Sequence, residues 1–163
     1  MKVDEGAALG MPAESAVRQT IKRGEENQSL QLNLKEAWAG LHFVLTGELP
    51  IPRQEALKRR ISWDDESLEN AIMGGTETDY RASYGPARYL APKQVENMSA
   101  QLSRITADEF KDRYDAEALT EENIPPGGWN AAAADWLSQN FTSLQRFYGE
   151  AAARRQGVLV YFI

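Results

Sequence analysis

The histidine of this chain is the first residue whose side chain suggests chemistry. His42 is the only imidazole among 163 residues, and an imidazole titrates near neutral pH, so it can act as a general acid or base. It follows Trp38 by one helical turn, on the apolar side of a predicted helix. A buried histidine bonded to a carbonyl or a carboxylate explains the same pattern, and the sequence favours this structural role over a catalytic one.

A second group of candidates lies in the run Tyr84-Gly85-Pro86-Ala87-Arg88-Tyr89. The planar guanidinium of Arg88 can hold a carboxylate or a phosphate, with the phenol of Tyr84 nearby. The same residues also fit a purely structural role, in which Gly85 and Pro86 set a bend and Arg88 pairs with an internal acid. His42, Tyr84 and Arg88 are therefore the candidate ligand pocket, and the structural interpretation is the favoured one.

Acidic clusters and a loop tryptophan are the candidates for binding a partner. The clusters are Asp64-Asp65-Glu66, Asp108-Glu109 and Glu121-Glu122, and the first two stand where helix N-termini favour negative charge. Trp129 follows the rigid loop Pro125-Pro126-Gly127-Gly128, so it is either an exposed anchor for a partner or a core residue that pins the loop.

Composition excludes several classes of function. Without cysteine, the chain has no thiol nucleophile, disulfide or Cys-type zinc site, and one histidine cannot form a multi-histidine metal site. Neither a GxGxxG motif nor a phosphate-binding GxxxxGK[ST] loop is present. We therefore expect no cofactor and no metal. A net charge of −6 argues against nucleic-acid binding, and the lack of a long apolar run or a secretory leader predicts a cytoplasmic protein that does not enter the membrane.

Apolar spacing then gives the elements that must position these residues. It predicts a helix after Pro12, a short strand over 29–33, and a helix over about 34–46 that is capped by Asn33 and ends at Gly47. Gly40 within that helix suggests that another element packs closely against it. Further short helices are predicted over 53–60 and from Asp64 or Asp65 to Met73.

The second half of the chain is predicted in the same way. Residues 76–83 are expected to form an exposed loop, and Tyr84 to Leu90 an extended segment. Helices are predicted after Pro92 and after the capping box at Thr106, and 115–128 is expected to be a loop. The longest helix runs over about 130–156, and the apolar run 158–163 is an interior strand. The fold class is α+β, a small sheet packed against several helices within a single domain over 1–163.

The set of motifs resembles the YfbM-like family, small bacterial domains of unknown function. The resemblance covers the chain from about Leu32 onward. It rests on Lys35-x-x-Trp38-x-x-Leu41-His42-Phe43-x-Leu45-Thr46-Gly47, on Gly74-Gly75, on Tyr84 to Leu90 leading into Pro92-x-x-Val95, and on the last helix with its strand. It implies a compact α+β fold and no established activity, cofactor or catalytic residue.

The start of the chain departs from the family pattern. Members open with a hydrophobic strand, whereas residues 1–10 are small and polar and are expected to be poorly ordered or divergent. Either the strand is lost, or a segment near Ala7 to Met11 replaces it. A lost strand would leave a sheet edge open to a partner strand.

The leading functional hypothesis is a non-enzymatic protein-binding domain. Its specific form is an immunity-type protein that neutralises a toxin by direct binding, with a basic toxin as the candidate partner, through the acidic loops 64–66 and 121–122 and Trp129. The alternative is a small-molecule-binding domain or an enzyme built around His42 and Arg88. A structural homo-oligomer is the third hypothesis.

Overall fold

Six helices and four strands make up the described part of the chain. A computed structural model describes residues 2–3, 11–50 and 68–163. The helices are α1 (Glu14–Glu26), α2 (Ala37–Thr46), α3 (Pro92–Ser103), α4 (Ala107–Asp112), α5 (Ala116–Glu121) and α6 (Ala131–Ala153). The strands are β1 (Lys2–Val3), β2 (Thr76–Ala82), β3 (Gly85–Leu90) and β4 (Gly157–Val160), with 3₁₀ turns at Gln28–Leu30 and Leu68–Ala71. The predicted α+β class, with a long last helix followed by a strand, is confirmed.

The strands form one antiparallel sheet in the order β1-β4-β3-β2. Strand β4 therefore lies in the interior of the sheet, as its apolar sequence predicts. Strand β4 pairs with β3 on one side and with β1 on the other, where Lys2 is opposite Val158. The edge of β4 is thus paired by a two-residue strand at Lys2–Val3, and not by a segment near Ala7 to Met11, which the structure describes only at Met11.

Helices cover both faces of the sheet. Because side chains alternate along a strand, Ala87 and Tyr89 of β3 face one side and Arg88 and Leu90 face the other. On the first side, Ala87, Tyr89 and Leu159 pack against Val17 and Ile21 of α1. On the second side, Leu90 and Val158 join the main core, to which α2, α3, α4, α5 and α6 contribute. This second side is the one on which Arg88 lies.

Helix α2 is buried on nearly all sides, which explains its apolar sequence. Seven of its ten residues are buried, including Gly40, Leu41 and His42. The helix ends at Gly47, whose φ of 73° is left-handed, as predicted. It begins at Ala37, later than the prediction, because Asn33 accepts a hydrogen bond from the amide of Lys35 and forms a turn before the helix.

The predicted strand over 29–33 is wrong. The side chain of Asn27 accepts hydrogen bonds from the amide of Ser29 at 3.1 Å and from its hydroxyl at 2.8 Å. This local bonding favours the 3₁₀ turn Gln28–Leu30 over a strand. Leu32 and Leu34 still pack against the core. The alternation of apolar and polar residues here therefore reflects burial of the leucines and not pairing in a sheet.

Two segments predicted as loops contain regular structure. The expected loop 76–83 is mostly strand β2, which forms a hairpin with β3 through Ser83 and Tyr84. This edge strand is polar because Thr78 is its only buried residue. The expected loop 115–128 contains helix α5, whose first turn is capped by Asp115. The helix predicted over 53–60, and the part of the next one before Leu68, lie outside the described residues.

Candidate functional site

His42 lies inside the main core. Its side chain is 1% exposed, and no hydrogen bond of good geometry reaches either ring nitrogen from the described residues. Burial lowers the pKa of His42 to about 4, with the backbone of Leu49 acting in the opposite direction. The imidazole is therefore neutral at physiological pH and sealed from solvent.

A cavity of about 580 Å³ lies beside the turn of the β2–β3 hairpin. We call it the hairpin cavity. The rings of Trp38 and Phe162 line it together with Met73, Tyr84 and Arg88. The amide of Tyr84 donates a hydrogen bond of 3.3 Å to the carbonyl of Phe162, which joins the hairpin to the segment after β4. Tyr84 and Arg88 therefore share a cavity, as the sequence proposed, whereas His42 is not among its lining residues.

Arg88 reaches this cavity from the middle of the sheet. Arg88 is 7% exposed. Its guanidinium carbon lies 5.4 Å from the centre of the Phe162 ring, within the range of a cation–π contact. The same charge acts on Tyr148, where it partly opposes the rise in pKa that burial causes. Such a buried guanidinium is a strong local source of positive potential, since the surrounding dielectric is low.

A second cavity of about 430 Å³ adjoins the hairpin cavity. Trp38, Phe162 and Ile163 line both. The rings of Trp38 and Phe162 meet edge to face, with their centroids 4.9 Å apart. This aromatic pair therefore stands between the two spaces.

Sequence reasoning missed most of the walls of the hairpin cavity. Glu77 and Arg81 line it from β2, which was expected to be a loop. Phe162 was assigned only to a strand, and Trp38 only to the apolar face of α2. The run of polar residues before Tyr84 is typical of an exposed edge strand as well as of a loop. It is the sequence signal that could have predicted β2.

Trp129 is a core residue and does not form an exposed anchor. It is 8% exposed, and its indole N–H donates a hydrogen bond of 2.9 Å to the carbonyl of Ile124. Its ring packs so tightly on α2 that a Cβ at Gly40 would lie 2.6 Å from its Cη2 atom. Of the two roles left open by the sequence, the structure supports the one that pins the loop, and Gly40 shows the predicted close packing.

The acidic residues Glu121 and Glu122 are exposed at the end of α5. They belong to a larger set of exposed carboxylates, which we call the acidic surface. Its members come from α4, α5 and the turns beside them and are Asp108, Glu109, Asp112, Asp115, Glu117, Glu121 and Glu122. The other predicted acids, Asp64, Asp65 and Glu66, lie outside the described residues.

Two of these carboxylates also have local structural roles. Glu109 accepts a hydrogen bond from the amide of Thr106, and this bond lowers the pKa of Glu109. Asp115 accepts from the amides of Glu117 and Ala118. Capping therefore explains part of the surface, as the sequence indicated for Asp108-Glu109.

Neither a metal site nor a membrane span is found in the part of the chain that the structure describes. Over 11–50 and 68–163, no three His, Asp or Glu side chains converge as a metal site requires. Among the same residues, no helix has both the length and the apolar character needed to cross a bilayer.

Comparisons with known proteins identify the fold. The family described as Domain of unknown function (DUF1877) matches residues 6–161. The crystal structure of YfbM from Escherichia coli, a protein of unknown function, matches with a TM-score of 0.61 and 16% identity. That match covers 99% of this chain and 96% of the YfbM chain. No curated protein matches. These findings confirm the resemblance to the YfbM-like family.

Proposed function

Because this chain belongs to the family Domain of unknown function (DUF1877), we propose its function from the surface that the chain itself presents. The protein is a protein-binding domain whose acidic surface docks on a basic partner. The specific form of the proposal is an immunity-type role, in which docking masks the active site of a basic toxin. We place this role in the cytoplasm, in keeping with a chain that has no cysteine.

The observation that carries this proposal is the concentration of charge on α4 and α5. Residues 107–122 contain seven acidic and two basic residues, a local net charge of −5 in a chain whose total is −6. All seven carboxylates are exposed. One of the two basic residues, Lys111, is held by Asp135 at 2.7 Å. Negative charge is therefore concentrated on α4 and α5, which favours a basic partner.

The acidic surface is held on a rigid support. Phe110 of α4 stacks on Phe141 of α6, with ring centroids 4.4 Å apart and an interplanar angle of 6°. Leu119 of α5 is fully buried in the main core. A surface fixed in this way loses little conformational freedom on binding, which favours affinity.

Charge reversal tests whether this surface binds. In the variant Glu117→Lys/Glu121→Lys/Glu122→Lys, we expect the partner captured from native cells to be lost. The matched control is Glu26→Lys/Glu48→Lys/Glu96→Lys, which changes the net charge equally at exposed positions elsewhere. The measurement is a tagged pull-down with quantitative mass spectrometry, with thermal denaturation to verify that both variants are folded.

The outcomes separate the two levels of the proposal. Loss of the partner in the first variant alone supports docking through the acidic surface, and equal capture by both variants contradicts it. The immunity role requires in addition that the captured partner inhibits growth when expressed alone and that co-expression of this chain restores growth. A captured partner that does not inhibit growth would still support a protein-binding domain, but it would overturn the immunity role.

A second candidate function is a small-molecule-binding domain. The observation that favours it is that Tyr84 and the buried Arg88 line the hairpin cavity together with two aromatic rings. Small-molecule sites are typically concave, mostly apolar, and equipped with few polar groups. His42 is not part of this candidate, because it is sealed in the core. Titration of the full chain with defined small molecules, followed through the NMR amide signal of Tyr84, tests it.

A further inference from the structure

We propose that the segment after β4, residues 161–163, pairs with an extended peptide segment of another protein that has apolar side chains at alternate positions. The peptide adds a strand to the sheet beyond the end of β1. This interaction surface is separate from the acidic surface and from the hairpin cavity, and the inference depends on neither of them. It rests on unpaired backbone groups and on the cavity beside them.

The pairing of β1 with β4 ends early. Among the described residues, Lys2 lies opposite Val158 and Val3 lies opposite Gly157. Because the two strands are antiparallel, the chain beyond Val3 leads away from the carboxyl end of β4. The described part of β1 therefore leaves residues 161–163 without a partner strand on this side. We call these three residues the open edge.

The backbone of Tyr161 faces the side on which β1 lies. In an extended chain, the amides and carbonyls of successive residues point alternately to the two sides. The carbonyl of Phe162 accepts a hydrogen bond of 3.3 Å from the amide of Tyr84, on the side of β3, so the polar groups of Tyr161 and Ile163 point the other way. Among the described residues, none forms a backbone hydrogen bond with Tyr161. Unpaired groups of this kind are a template for an added strand.

The cavity of about 430 Å³ lies at the same place. We call it the edge cavity. Residues 158–163 line it in unbroken succession, and none of its described lining residues belongs to β3. Because β3 covers one side of β4, the edge cavity lies along the opposite side, next to the open edge.

The segment 31–36 forms the facing wall of the edge cavity. Its residues 31–34 belong to no helix or strand, although Leu32 and Leu34 alternate with polar residues as in a strand. The backbone of Gln31 is extended, with φ of −130° and ψ of 142°. Within the described chain, Leu32 forms no backbone–backbone hydrogen bond. A strand in the edge cavity would therefore pair with the open edge on one side and with this segment on the other.

The interior of the edge cavity selects apolar side chains. Leu144 and Tyr148 line it from α6. Leu32, Leu34 and Val160 also line it, and these three are only partly buried against the main core. Side chains of a strand point alternately to its two faces, so every second residue of the added strand would enter the cavity. The expected partner is therefore an extended segment in which apolar and polar residues alternate.

A peptide with this pattern is the probe, acetyl-Glu-Thr-Leu-Thr-Leu-Thr-Lys-amide. One control peptide has serine in place of both leucines, which removes the apolar contact. The other is N-methylated at its three threonines, whose amides face the open edge when the leucines enter the cavity. None of the three peptides has a net charge, so the acidic surface does not favour one over another.

The experiment titrates the full chain with the three peptides. Isothermal titration calorimetry measures the dissociation constants, and NMR follows hydrogen exchange at the amides of Tyr161 and Ile163. We expect the probe to bind and to slow exchange at both amides. Each control peptide should bind at least about tenfold more weakly, because one loses the apolar contact and the other loses the hydrogen bonds to the open edge.

Variants of the chain locate the bound peptide. Leu32→Gln should weaken binding several-fold, whereas Leu30→Gln, the same change outside the described lining of the cavity, should have no effect. Tyr161→Pro removes the amide of the open edge and should abolish binding. Its control is Tyr161→Ala, which also removes the ring but keeps the amide and should still bind. Thermal denaturation verifies that all four variants are folded.

Each outcome supports or overturns the inference. Binding of the probe alone, with loss in Leu32→Gln and in Tyr161→Pro, supports it. Equal binding of the N-methylated peptide would show that the cavity accepts apolar groups without strand pairing, which overturns strand addition. If the probe does not bind at millimolar concentration, the inference is wrong. If sedimentation equilibrium shows a dimer that Tyr161→Pro dissociates, a second copy of this chain occupies the open edge, and a separate partner is overturned.

Discussion

The imidazole of His42 is a neutral group enclosed by the main core. Because burial lowers its pKa to about 4 from the ordinary value of 6.5, the unfolded chain binds one more proton than the folded chain between these two pH values. Above pH 6.5 both states are neutral and the histidine has no effect on stability. As the pH falls from 6.5 towards 4, protonation favours the unfolded state, and stability is lost.

We therefore predict acid sensitivity that depends on His42. Between pH 7.5 and pH 5 the buried imidazole should lower the free energy of unfolding by about 2 kcal/mol, from a shift worth about 1.4 kcal/mol per pKa unit. In His42→Leu this contribution disappears, whereas the contribution of the carboxylates remains. Urea denaturation of both proteins at each pH measures the difference. The same pH slope in both proteins would contradict the buried neutral state.

Two helical glycines of this chain differ in the space beside them. A Cβ at Gly40 would lie 2.6 Å from Trp129 Cη2 and 3.2 Å from Leu137, whereas a Cβ at Gly149 would meet only the Ser99 hydroxyl at 3.9 Å. We predict that Gly40→Ala lowers the free energy of unfolding by about 1 to 3 kcal/mol through overpacking.

Gly149→Ala is the matched control for this prediction. It should raise the free energy of unfolding by up to about 1 kcal/mol, because alanine is the better helix former. Chemical denaturation of the two variants beside the parent chain measures both effects. A stabilising Gly40→Ala would mean that the contact between α2 and Trp129 is looser than described.

At the scale of elements, one side chain joins the end of α3 to α6. The amide nitrogen of Gln145 donates hydrogen bonds of 2.8 Å to the carbonyls of Leu102 and Ile105. These carbonyls lie where a helix ends and has no further amides to offer. Gln145 therefore adds, from α6, a donor to two carbonyls at the end of α3, of which that of Leu102 also accepts the amide of Ile105 at 3.2 Å.

We predict that Gln145→Ala lowers the free energy of unfolding by about 1 to 3 kcal/mol, since the two hydrogen bonds from α6 to the end of α3 are lost. Gln139→Ala, at an exposed position of the same helix, should change stability by less than about 0.5 kcal/mol. Thermal denaturation compares the two variants. Equal effects would show that the bonds to α3 contribute nothing beyond helix propensity.

At the scale of the whole molecule, Tyr148 joins parts of the chain that are distant in sequence. It is fully buried, and its hydroxyl donates a hydrogen bond of 2.8 Å to the carbonyl of Ala71, across 77 positions of the chain. This bond holds the 3₁₀ turn Leu68–Ala71 against α6. Burial raises the pKa of Tyr148, so its hydroxyl remains a donor at all physiological pH values.

We predict that Tyr148→Phe lowers the free energy of unfolding by about 1 to 2 kcal/mol, because the ring packing is kept and only the buried hydrogen bond is lost. Tyr84→Phe is the control, since Tyr84 is 79% exposed. Calorimetric melting of both variants measures the effect. An unchanged melting temperature in Tyr148→Phe would mean that another donor replaces the hydroxyl.

Elements with local signals can be predicted from the residues alone. Helices α1, α3, α4 and α6, the left-handed end of α2 at Gly47 and the interior strand β4 follow from apolar spacing, capping residues and β-branched content. The α+β class and the family motifs follow from the same residues. The capping box at Thr106 is a clear case, because its two hydrogen bonds join residues only three positions apart.

Features that depend on residues from other elements follow from tertiary packing and not from local patterns. Strand β2 is polar and exists because β3 pairs with it. Trp129 is buried because Gly40 leaves room for its ring, and Tyr84 and Arg88 share a cavity because Phe162 and Trp38 meet beside them. Such contacts depend on the shape of the packed core, which no local pattern of residues encodes.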